Sequence, residues 1–306
     1  MSPFHSLQEH TFSDMLCLNG CRPIFLCGFP LPVEFAPQIV AEKEVLLPTF
    51  TGHMVRGILL NMLHQVDPSL AAMLHEPDVP KPYSVTGLYF RSKGRAADGY
   101  VLDPAYPCTF KIRFLNDQYA QEALKYFREK ATIMVADTTF HLATVSVKSE
   151  TYQDLAEKAF DVEAFRLVFK SPTYLASKGA KFHHLFPEPR RLFLNLAKLW
   201  NQNAKGNEIK DVESYARWLK LNLGVSGYAL ETRLVRAGKR EGIGFTGWTN
   251  YRSKEAGEWN RFTSALARFA EYSNVGANRT GGFGVTRYFA KPLQAPNHQE
   301  HSVEQI

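Results

Sequence analysis

The stretch Asn274–Val285 reads NVGANRTGGFGV and lies between a helical pattern and a strand-like pattern near the C-terminus. Its glycines let the backbone adopt positive φ and pass close to another chain, so successive N–H groups of such a loop can meet a phosphate oxygen. Glycine also commonly ends helices, which favours a plainer interpretation as a sharp connection between a helix and a strand. The loop by itself leaves both interpretations open.

Two common phosphate-binding motifs do not fit this loop. The dinucleotide fingerprint follows a strand and opens a helix, whereas this loop follows a helix and opens a strand. The nucleotide P-loop ends in Gly-Lys followed by Ser or Thr, and no such ending occurs here. A phosphate bound by this loop is therefore expected to belong to a nucleic-acid backbone.

Composition is that of a folded globular protein. The 306 residues are 45% hydrophobic and 22% charged, and their number suits two domains. The 36 Lys and Arg exceed the 30 Asp and Glu, giving a net charge of +6 that favours a polyanionic partner if it is concentrated on one face.

Targeting and redox signals predict a cytoplasmic protein that binds no membrane and needs no cofactor. No apolar run is long enough to span a bilayer, and no signal-peptide pattern opens the chain. The cysteines form neither a disulfide framework nor a good zinc spacing, so no metal is expected. They are Cys17, Cys21, Cys27 and Cys108.

Hydrophobic periodicity predicts the order β-α-β-β-α-β in the first half of the chain. In chain order the predicted elements are an extended stretch Pro32–Val45, a helix Thr51–Val66 with a short second helix to Leu74, strands Tyr83–Arg91 and Tyr106–Leu115, a helix Asp117–Lys130 and a strand His141–Ser149.

The second half repeats this order after a connector at Tyr152–Lys158. The predicted elements are a strand Ala164–Ser171, helices Arg190–Trp200 and Asp211–Leu223, a hairpin of Gly227–Val235 with Gly242–Arg252, a helix Trp259–Tyr272, the glycine-rich loop and a strand Phe283–Phe289.

The order found twice is that of ferredoxin-like or RNA-recognition-motif domains, in which two helices back a four-stranded antiparallel sheet. The predicted fold class is therefore α+β, with tandem ferredoxin-like domains. We predict an N-terminal domain over residues 1–150, a C-terminal domain with the glycine-rich loop over 160–291, and a flexible tail over 292–306.

Four short segments, together with the terminal loop, resemble the CRISPR-associated RAMP superfamily, in particular the endoribonucleases that process CRISPR repeat transcripts. The resemblance spans about residues 30–290. The loop keeps Gly276, Gly282 and Gly284 but carries Asn274 where the family pattern begins with glycine. The four segments are Leu47–Gly57, Lys81–Val85, Phe169–Thr173 and Gly244–Trp248.

The resemblance implies a metal-independent endoribonuclease that cuts CRISPR repeat RNA within precursor transcripts to give guide RNAs. It also implies that a general base activates the ribose 2′-OH, so that the products carry a 2′,3′-cyclic phosphate and a 5′-OH. The alternative is a non-catalytic RAMP subunit that holds guide RNA in an effector complex. Association with effector-complex proteins and formation of a homodimer are left open, and a small-molecule enzyme on the same scaffold is a third hypothesis.

His53 and Arg56 are the catalytic residues that the resemblance indicates. His53 lies at the predicted start of the first helix, where the family commonly has its catalytic histidine, and a helix N-terminus favours a nearby phosphate. Arg56 is one turn further along and is suited to stabilising the phosphorane. The pair His183–His184 is the main rival, and Lys43 and Tyr83 are candidates to complete a His-Tyr-Lys arrangement known in some relatives.

Basic residues at the tip of the predicted hairpin are expected to contact RNA phosphates, although a solvated hairpin end explains the same charges. The loop is expected to hold RNA while His53, elsewhere in the chain, helps to cut it. The predicted RNA-binding residues are Lys170, Arg233, Arg236, Lys239, Arg240, Gly276, Arg279, Gly282 and Gly284.

Overall fold

The computed structural model describes residues 31–292 apart from 78, 79, 178, 180, 238 and 239. For residues 237, 240, 291 and 292 it describes the backbone alone. Cys17, Cys21 and Cys27 therefore lie outside the described residues, as do Lys239 and all but the first residue of the predicted tail. Cys108 is buried and forms no disulfide.

The strands of the N-terminal half are β1 Val33–Ala41, β2 Val45–Pro48, β3 Tyr83–Val85, β4 Ser92–Ala96, β5 Gly99–Leu102, β6 Cys108–Thr109, β7 Ile112–Phe114, β8 Thr132–Val135 and β9 Thr138–Ser149. Its helices are α1 Gly52–Val66, α2 Pro68–His75 and α3 Ala120–Glu129, the last preceded by a 3-10 turn at Asp117–Tyr119. The strands form one antiparallel sheet in the order β3-β7-β1-β9-β8, with β6 paired to β1, and a second sheet in the order β2-β5-β4.

The N-terminal core lies between this sheet and helices α1 and α3. Alternate residues of β1 are buried against apolar positions of the helices, as a half-buried strand requires. Phe35 of β1 packs against Phe127 of α3, with ring centroids 5.6 Å apart. Among the main strands, the neighbours β9-β1-β7-β3 give the sheet order of a ferredoxin-like domain.

The hairpin of β4 and β5 is not predicted by the sequence. The side chains of β4 are nearly all exposed, so its residues lack the apolar alternation by which a strand is recognised. The predicted strand Tyr83–Arg91 is also shorter than expected, since only Tyr83–Val85 is paired as a strand, with β7.

The elements of the C-terminal half are α4 Tyr152–Glu157, β10 Val162–Thr173, α5 Pro189–Asn203, α6 Val212–Asn222, β11 Leu223–Ala237, β12 Arg240–Ser253, α7 Glu258–Ser273 and β13 Thr286–Pro292. Its strands form a sheet in the order β11-β12-β10-β13, again that of a ferredoxin-like domain. The predicted fold class is confirmed.

A second hydrophobic core, built around Trp200, Tyr251 and Phe269, occupies the C-terminal half. Tyr152 belongs to this core, yet its hydroxyl donates a hydrogen bond to the Leu115 carbonyl at 2.8 Å. Leu115, which follows β7 in the N-terminal half, belongs to this same core, so the C-terminal core includes a residue of the first half. The predicted domain boundary stays a prediction.

Strand β3 of the N-terminal half is hydrogen-bonded to the C-terminal half. The Ser84 hydroxyl donates a hydrogen bond to the Tyr272 carbonyl at 2.6 Å, and the Asn274 amide donates to the Val85 carbonyl at 2.9 Å. These bonds fix the C-terminal end of α7, and hence the glycine-rich loop that follows it, against the N-terminal half. Within the described residues, no helix has the length and apolar character needed to cross a membrane.

Candidate active site

A cleft of about 1030 Å³ opens where the glycine-rich loop meets the N-terminal end of α1. The segment after β10 and the strands β11 and β12 complete its walls. Its lining combines aromatic and basic side chains, which suits a negatively charged ligand with stacked rings. The residues that line it are Pro48, Phe50, His53, Met54, Arg56, Tyr174, Lys181, Phe182, His183, Leu185, Val235, Arg236, Glu241, Gly242, Ile243, Asn278 and Phe283.

The glycines of the loop are required by close packing against the protein's own backbone. Gly276, Gly282 and Gly284 have φ of 80°, 81° and 70°, a region that side chains disfavour. A Cβ on Gly284 would lie 1.8 Å from the Val275 carbonyl oxygen, and one on Gly276 would lie 2.2 Å from that of Tyr174. The sequence therefore identified glycines that have a structural reason to be there.

The phosphate cradle predicted for this loop is wrong at Gly282 and Gly284. Both residues are buried, and their N–H groups donate to protein carbonyls, that of Gly282 to Arg279 at 3.3 Å and that of Gly284 to Pro172 at 3.0 Å. Neither N–H is directed at a ligand. Gly276 is half-buried, and an RNA contact there stays a prediction.

Arg279 also has an internal role in place of the predicted RNA contact. Its guanidinium donates hydrogen bonds to the carbonyls of Ser273 at 2.9 Å and Lys81 at 3.2 Å. Burial lowers the pKa of Arg279 to about 10, which still leaves the group protonated at neutral pH. The side chain therefore ties the loop to the end of α7 and to the segment before β3.

Asn274 replaces the first glycine of the family pattern and uses its side chain to hold the loop. It adopts a φ of 57°, which asparagine tolerates better than most residues, and it is fully buried. Its amide nitrogen donates to the carbonyls of Val85 at 2.9 Å and Phe283 at 3.0 Å, and its oxygen accepts from Arg113 at 3.0 Å. Sequence reasoning missed this network, whose only sign was a polar residue where a glycine was expected.

His53 lies in the first turn of α1 and contacts the glycine-rich loop. A Cβ on Gly52 would be 2.2 Å from the Gly281 carbonyl oxygen, so the helix can approach the loop this closely only because Gly52 has no side chain. A Cβ on Gly281 would be 2.7 Å from Cε1 of His53, and the imidazole centroid is 6.1 Å from that of Phe283. His53 and the loop are therefore in contact although they are more than two hundred positions apart in the sequence.

Arg56 shares the cleft with His53 and lies beside the Tyr83 hydroxyl. Burial raises the pKa of Tyr83, and the charge of Arg56 opposes that rise. Tyr83 is buried and is not among the lining residues, so it meets the site only through its contact with Arg56. Lys43 is exposed between β1 and β2 and is not part of the cleft lining.

The two rival histidines are separated by the fold. His183 lines the cleft, where its ring stacks on Tyr174 with centroids 4.6 Å apart and planes at 19°. His184 is not among the lining residues, and Nε2 of its ring is 2.8 Å from the hydroxyl oxygen of Ser177. His53 and His183, 130 positions apart in sequence, therefore face one cavity.

Of the basic residues predicted to contact RNA, Arg236 lines the cleft. Its guanidinium pairs with Glu241 at 2.8 Å, and the two side chains are 73% and 55% exposed. Arg233 pairs with Glu231 and is outside the lining, as is the exposed Lys170. The side chain of Arg240 is not described. The RNA contacts of these residues stay predictions.

Among the described residues, no group of three or more His, Cys, Asp and Glu side chains is arranged so that it could hold a metal ion. What the cleft offers is two imidazoles, aromatic rings and fixed positive charge. Such groups can move protons and stabilise an anion.

Comparison with known proteins agrees with this architecture. The family model for the CRISPR-associated endoribonuclease Cas6 matches residues 167–286. A CRISPR-associated endoribonuclease Cas6 of Streptococcus thermophilus is 24% identical over 181 residues, covering 56% of this chain and 72% of that protein.

Solved structures extend the likeness over most of the chain. Cas6 of Thermus thermophilus has a TM-score of 0.65 at 22% identity, and a Cas6 product complex has a TM-score of 0.69 at 23% identity; each match covers 85% of this chain and 99% of the other. A RAMP protein described as binding different RNA substrates has a TM-score of 0.56 at 14% identity, covering 85% of this chain and 99% of the other.

The fold first defines the class, a tandem pair of ferredoxin-like domains similar to the Cas6 and RAMP proteins of the solved structures. The sequence and structure matches confirm the predicted resemblance to the repeat-RNA-processing proteins. The chain is similar to the CRISPR-associated endoribonuclease Cas6 in sequence over residues 167–286 and in fold over 85% of its length.

Proposed function

We propose that this protein is a metal-independent endoribonuclease that cleaves CRISPR repeat RNA within precursor transcripts to give guide RNAs. The observation that carries the proposal is the position of His53, in the first turn of α1 and in the wall of a cleft that also contains Arg56 and Arg236. The names of the similar proteins, which include a CRISPR-associated endoribonuclease and a RAMP protein binding different RNA substrates, support the choice of RNA as substrate.

The chemistry follows from these groups. His53 in its neutral form takes the proton of the ribose 2′-OH, because imidazole exchanges protons near neutral pH. The 2′-oxygen attacks the adjacent phosphorus, and Arg56 with the N-terminal end of α1 stabilises the negative charge of the phosphorane. The products carry a 2′,3′-cyclic phosphate and a 5′-OH.

His53→Ala tests this assignment. We expect the variant to bind a transcript of the protein's own CRISPR repeat but to cleave it about 10²- to 10⁴-fold more slowly, the range for loss of a general base. His64→Ala is the matched control, because His64 is exposed at the other end of α1 and should be dispensable. Cleavage by the unmodified protein should persist in EDTA.

The competing function is a non-catalytic RAMP subunit that binds guide RNA. Binding of repeat RNA without cleavage, in EDTA and with added divalent ions alike, would favour that function. Wild-type cleavage by His53→Ala would instead overturn the catalytic role of His53. We propose a cytoplasmic location, where precursor transcripts occur. Association with effector-complex proteins and homodimerisation stay predictions.

A further inference from the structure

We propose that His183 is the second proton-transfer residue of this site, the general acid that protonates the leaving 5′-oxygen. This inference rests on the proposed endoribonuclease function and extends it across the cleft, since His53 belongs to the N-terminal half and His183 to the C-terminal half. The RNA strand would then be cut between two histidines on opposite walls.

A series of ring contacts connects the two histidines, with His183 stacked on Tyr174 and the other two pairs edge to face. His183 lies 4.6 Å from Tyr174, Tyr174 lies 5.6 Å from Phe283, and Phe283 lies 6.1 Å from His53, all measured between ring centroids. Phe283 is buried within the glycine-rich loop. These ring contacts therefore link the positions of the two imidazoles through a buried side chain of the loop.

The backbone beside His183 is also fixed. Leu175 and His184 exchange a pair of hydrogen bonds, each N–H donating to the other carbonyl at 3.0 Å. Consecutive side chains of an extended segment point to opposite sides, so the ring of His184 meets Ser177 while that of His183 meets Tyr174 and the cleft. His184 is consequently a neighbour with the same chemistry and a different orientation.

The other titratable groups of the described lining suit the acid role less well. Arg56, Lys181 and Arg236 are fixed positive charges, which suit the binding of phosphate oxygens better than the donation of a proton to a leaving group. Glu241 is paired with Arg236, and burial raises the pKa of Tyr174 above its ordinary value. Imidazole is the side chain that gives and takes protons near pH 7.

The reaction balances with these two groups. His53 accepts the 2′-OH proton as the bond between the 2′-oxygen and phosphorus forms. The bond between phosphorus and the 5′-oxygen breaks, and the imidazolium of His183 gives its proton to that oxygen. The stacked face of Tyr174 suits this cation, because aromatic faces attract positive charge. After cleavage His53 is protonated and His183 is neutral.

A substrate with sulfur in place of the bridging 5′-oxygen tests the role of His183. A thiolate leaves without protonation, so loss of the general acid should slow cleavage of the oxygen substrate but not of the sulfur substrate. We expect His183→Ala to cut the oxygen substrate about 10²-fold more slowly in single turnovers at saturating RNA, and to cut the sulfur substrate within about threefold of the unmodified protein.

The controls separate this inference from the proposed function. His184→Ala should cut both substrates at the unmodified rate, and His53→Ala should be slow on both. The role of His183 is overturned if His183→Ala cuts the oxygen substrate normally, or if its defect is equally large with sulfur, as for a residue that only binds or positions RNA. Normal cleavage by His53→Ala would instead defeat the proposed base while leaving the test of His183 readable.

Discussion

At the scale of single residues, the site depends on positions that have no room for a side chain. Gly52 of α1 and Gly281 of the loop meet backbone to backbone, and the imidazole of His53 lies over Gly281. A methyl group at Gly281 would meet the side chains of His53 and Asn278 at 2.7 and 2.6 Å, which is closer than any normal contact. The imidazole of His53 can therefore adopt its observed orientation only because Gly281 has no Cβ.

Gly281→Ala should therefore reduce cleavage more than it reduces stability. Gly281 does not have a positive φ, so alanine fits the backbone and the clash falls on two side chains that can move. We expect at least about a tenfold loss in single-turnover cleavage rate, because small misplacements of reacting groups are costly. Circular dichroism and thermal unfolding should show a folded protein.

Gly57→Ala is the matched control for Gly281→Ala. Gly57 is exposed on α1, and a Cβ there would meet nothing within 4 Å. Alanine should leave cleavage unchanged and raise the free energy of unfolding by about 0.5–1 kcal/mol, the helix preference of alanine over glycine. Equal cleavage rates for the two variants would contradict the role assigned to Gly281.

A second prediction at this scale concerns Asn274. Asn274→Ala removes the donors to Val85 and Phe283 and the acceptor for Arg113, and it leaves alanine at a φ of 57°. We expect a loss of about 2–4 kcal/mol in the free energy of unfolding, measured with urea. Asn274→Gly should cost about 1 kcal/mol less, because glycine relieves the backbone strain. Equal losses would show that the strain is negligible.

At the scale of elements, the basic hairpin formed by β11 and β12 extends to the cleft. Val235 and Arg236 of β11 face Gly242 and Glu241 of β12 in the antiparallel register, and all four residues line the cavity. The hairpin is therefore positioned to touch RNA that enters the site. Its ion pair is exposed, so the pair contributes little to stability and its charges remain available to a ligand.

Charge substitutions in this hairpin should change the affinity for repeat RNA in opposite directions. Arg236→Gln should weaken binding and reduce the slope of log affinity against log salt concentration by about 0.7–0.9, the loss of one phosphate contact. Glu241→Gln should strengthen binding, because it frees Arg236 and removes a negative charge from the cleft. Filter-binding titrations over a range of salt measure both effects. An unchanged slope for Arg236→Gln would contradict an RNA contact.

At the scale of the whole molecule, a buried ionic network connects the N-terminal sheet to the loop. Glu34 of β1 accepts hydrogen bonds from Lys111 at 2.5 Å and from Arg113 at 2.6 Å, and Arg113 also donates to Asn274. Burial tends to raise the pKa of the Glu34 carboxyl, but the two cations outweigh it and hold the pKa below the ordinary value of 4.5. One charged cluster thus couples the two halves.

Glu34→Gln tests this coupling through its dependence on pH. A carboxyl whose pKa is lowered by folding stabilises the protein above its unfolded pKa, and that contribution disappears as pH falls through the folded pKa. We expect the variant to be less stable by about 2 kcal/mol at pH 7. The difference from the unmodified protein should shrink as the pH is lowered past 4.5.

Glu44→Gln is the control for this measurement, because Glu44 pairs with Lys93 on the surface, with both side chains about half exposed. Such pairs contribute little, so the substitution should change stability by less than about 1 kcal/mol at any pH. A difference for Glu34→Gln that is constant from pH 7 to pH 3 would contradict the coupling.

The amino-acid sequence by itself determined the repeated β-α-β-β-α-β order, because amphipathic spacing and turn residues are local signals that survive in any context. It also marked His53, the basic hairpin and the glycine-rich loop. The sequence did not predict the hairpin of β4 and β5, since the exposed strand β4 carries no apolar alternation.

Only the tertiary structure decided which residues the marked positions contact. The glycines of the loop were singled out by the sequence, but Gly52 and Tyr174, against which two of them pack, lie more than a hundred positions away, and no local pattern reveals them. The same fold holds the Arg279 side chain against carbonyls of the protein and brings His183 into the cleft that His53 lines. Contacts between residues so far apart in the sequence exist only once the whole chain has folded.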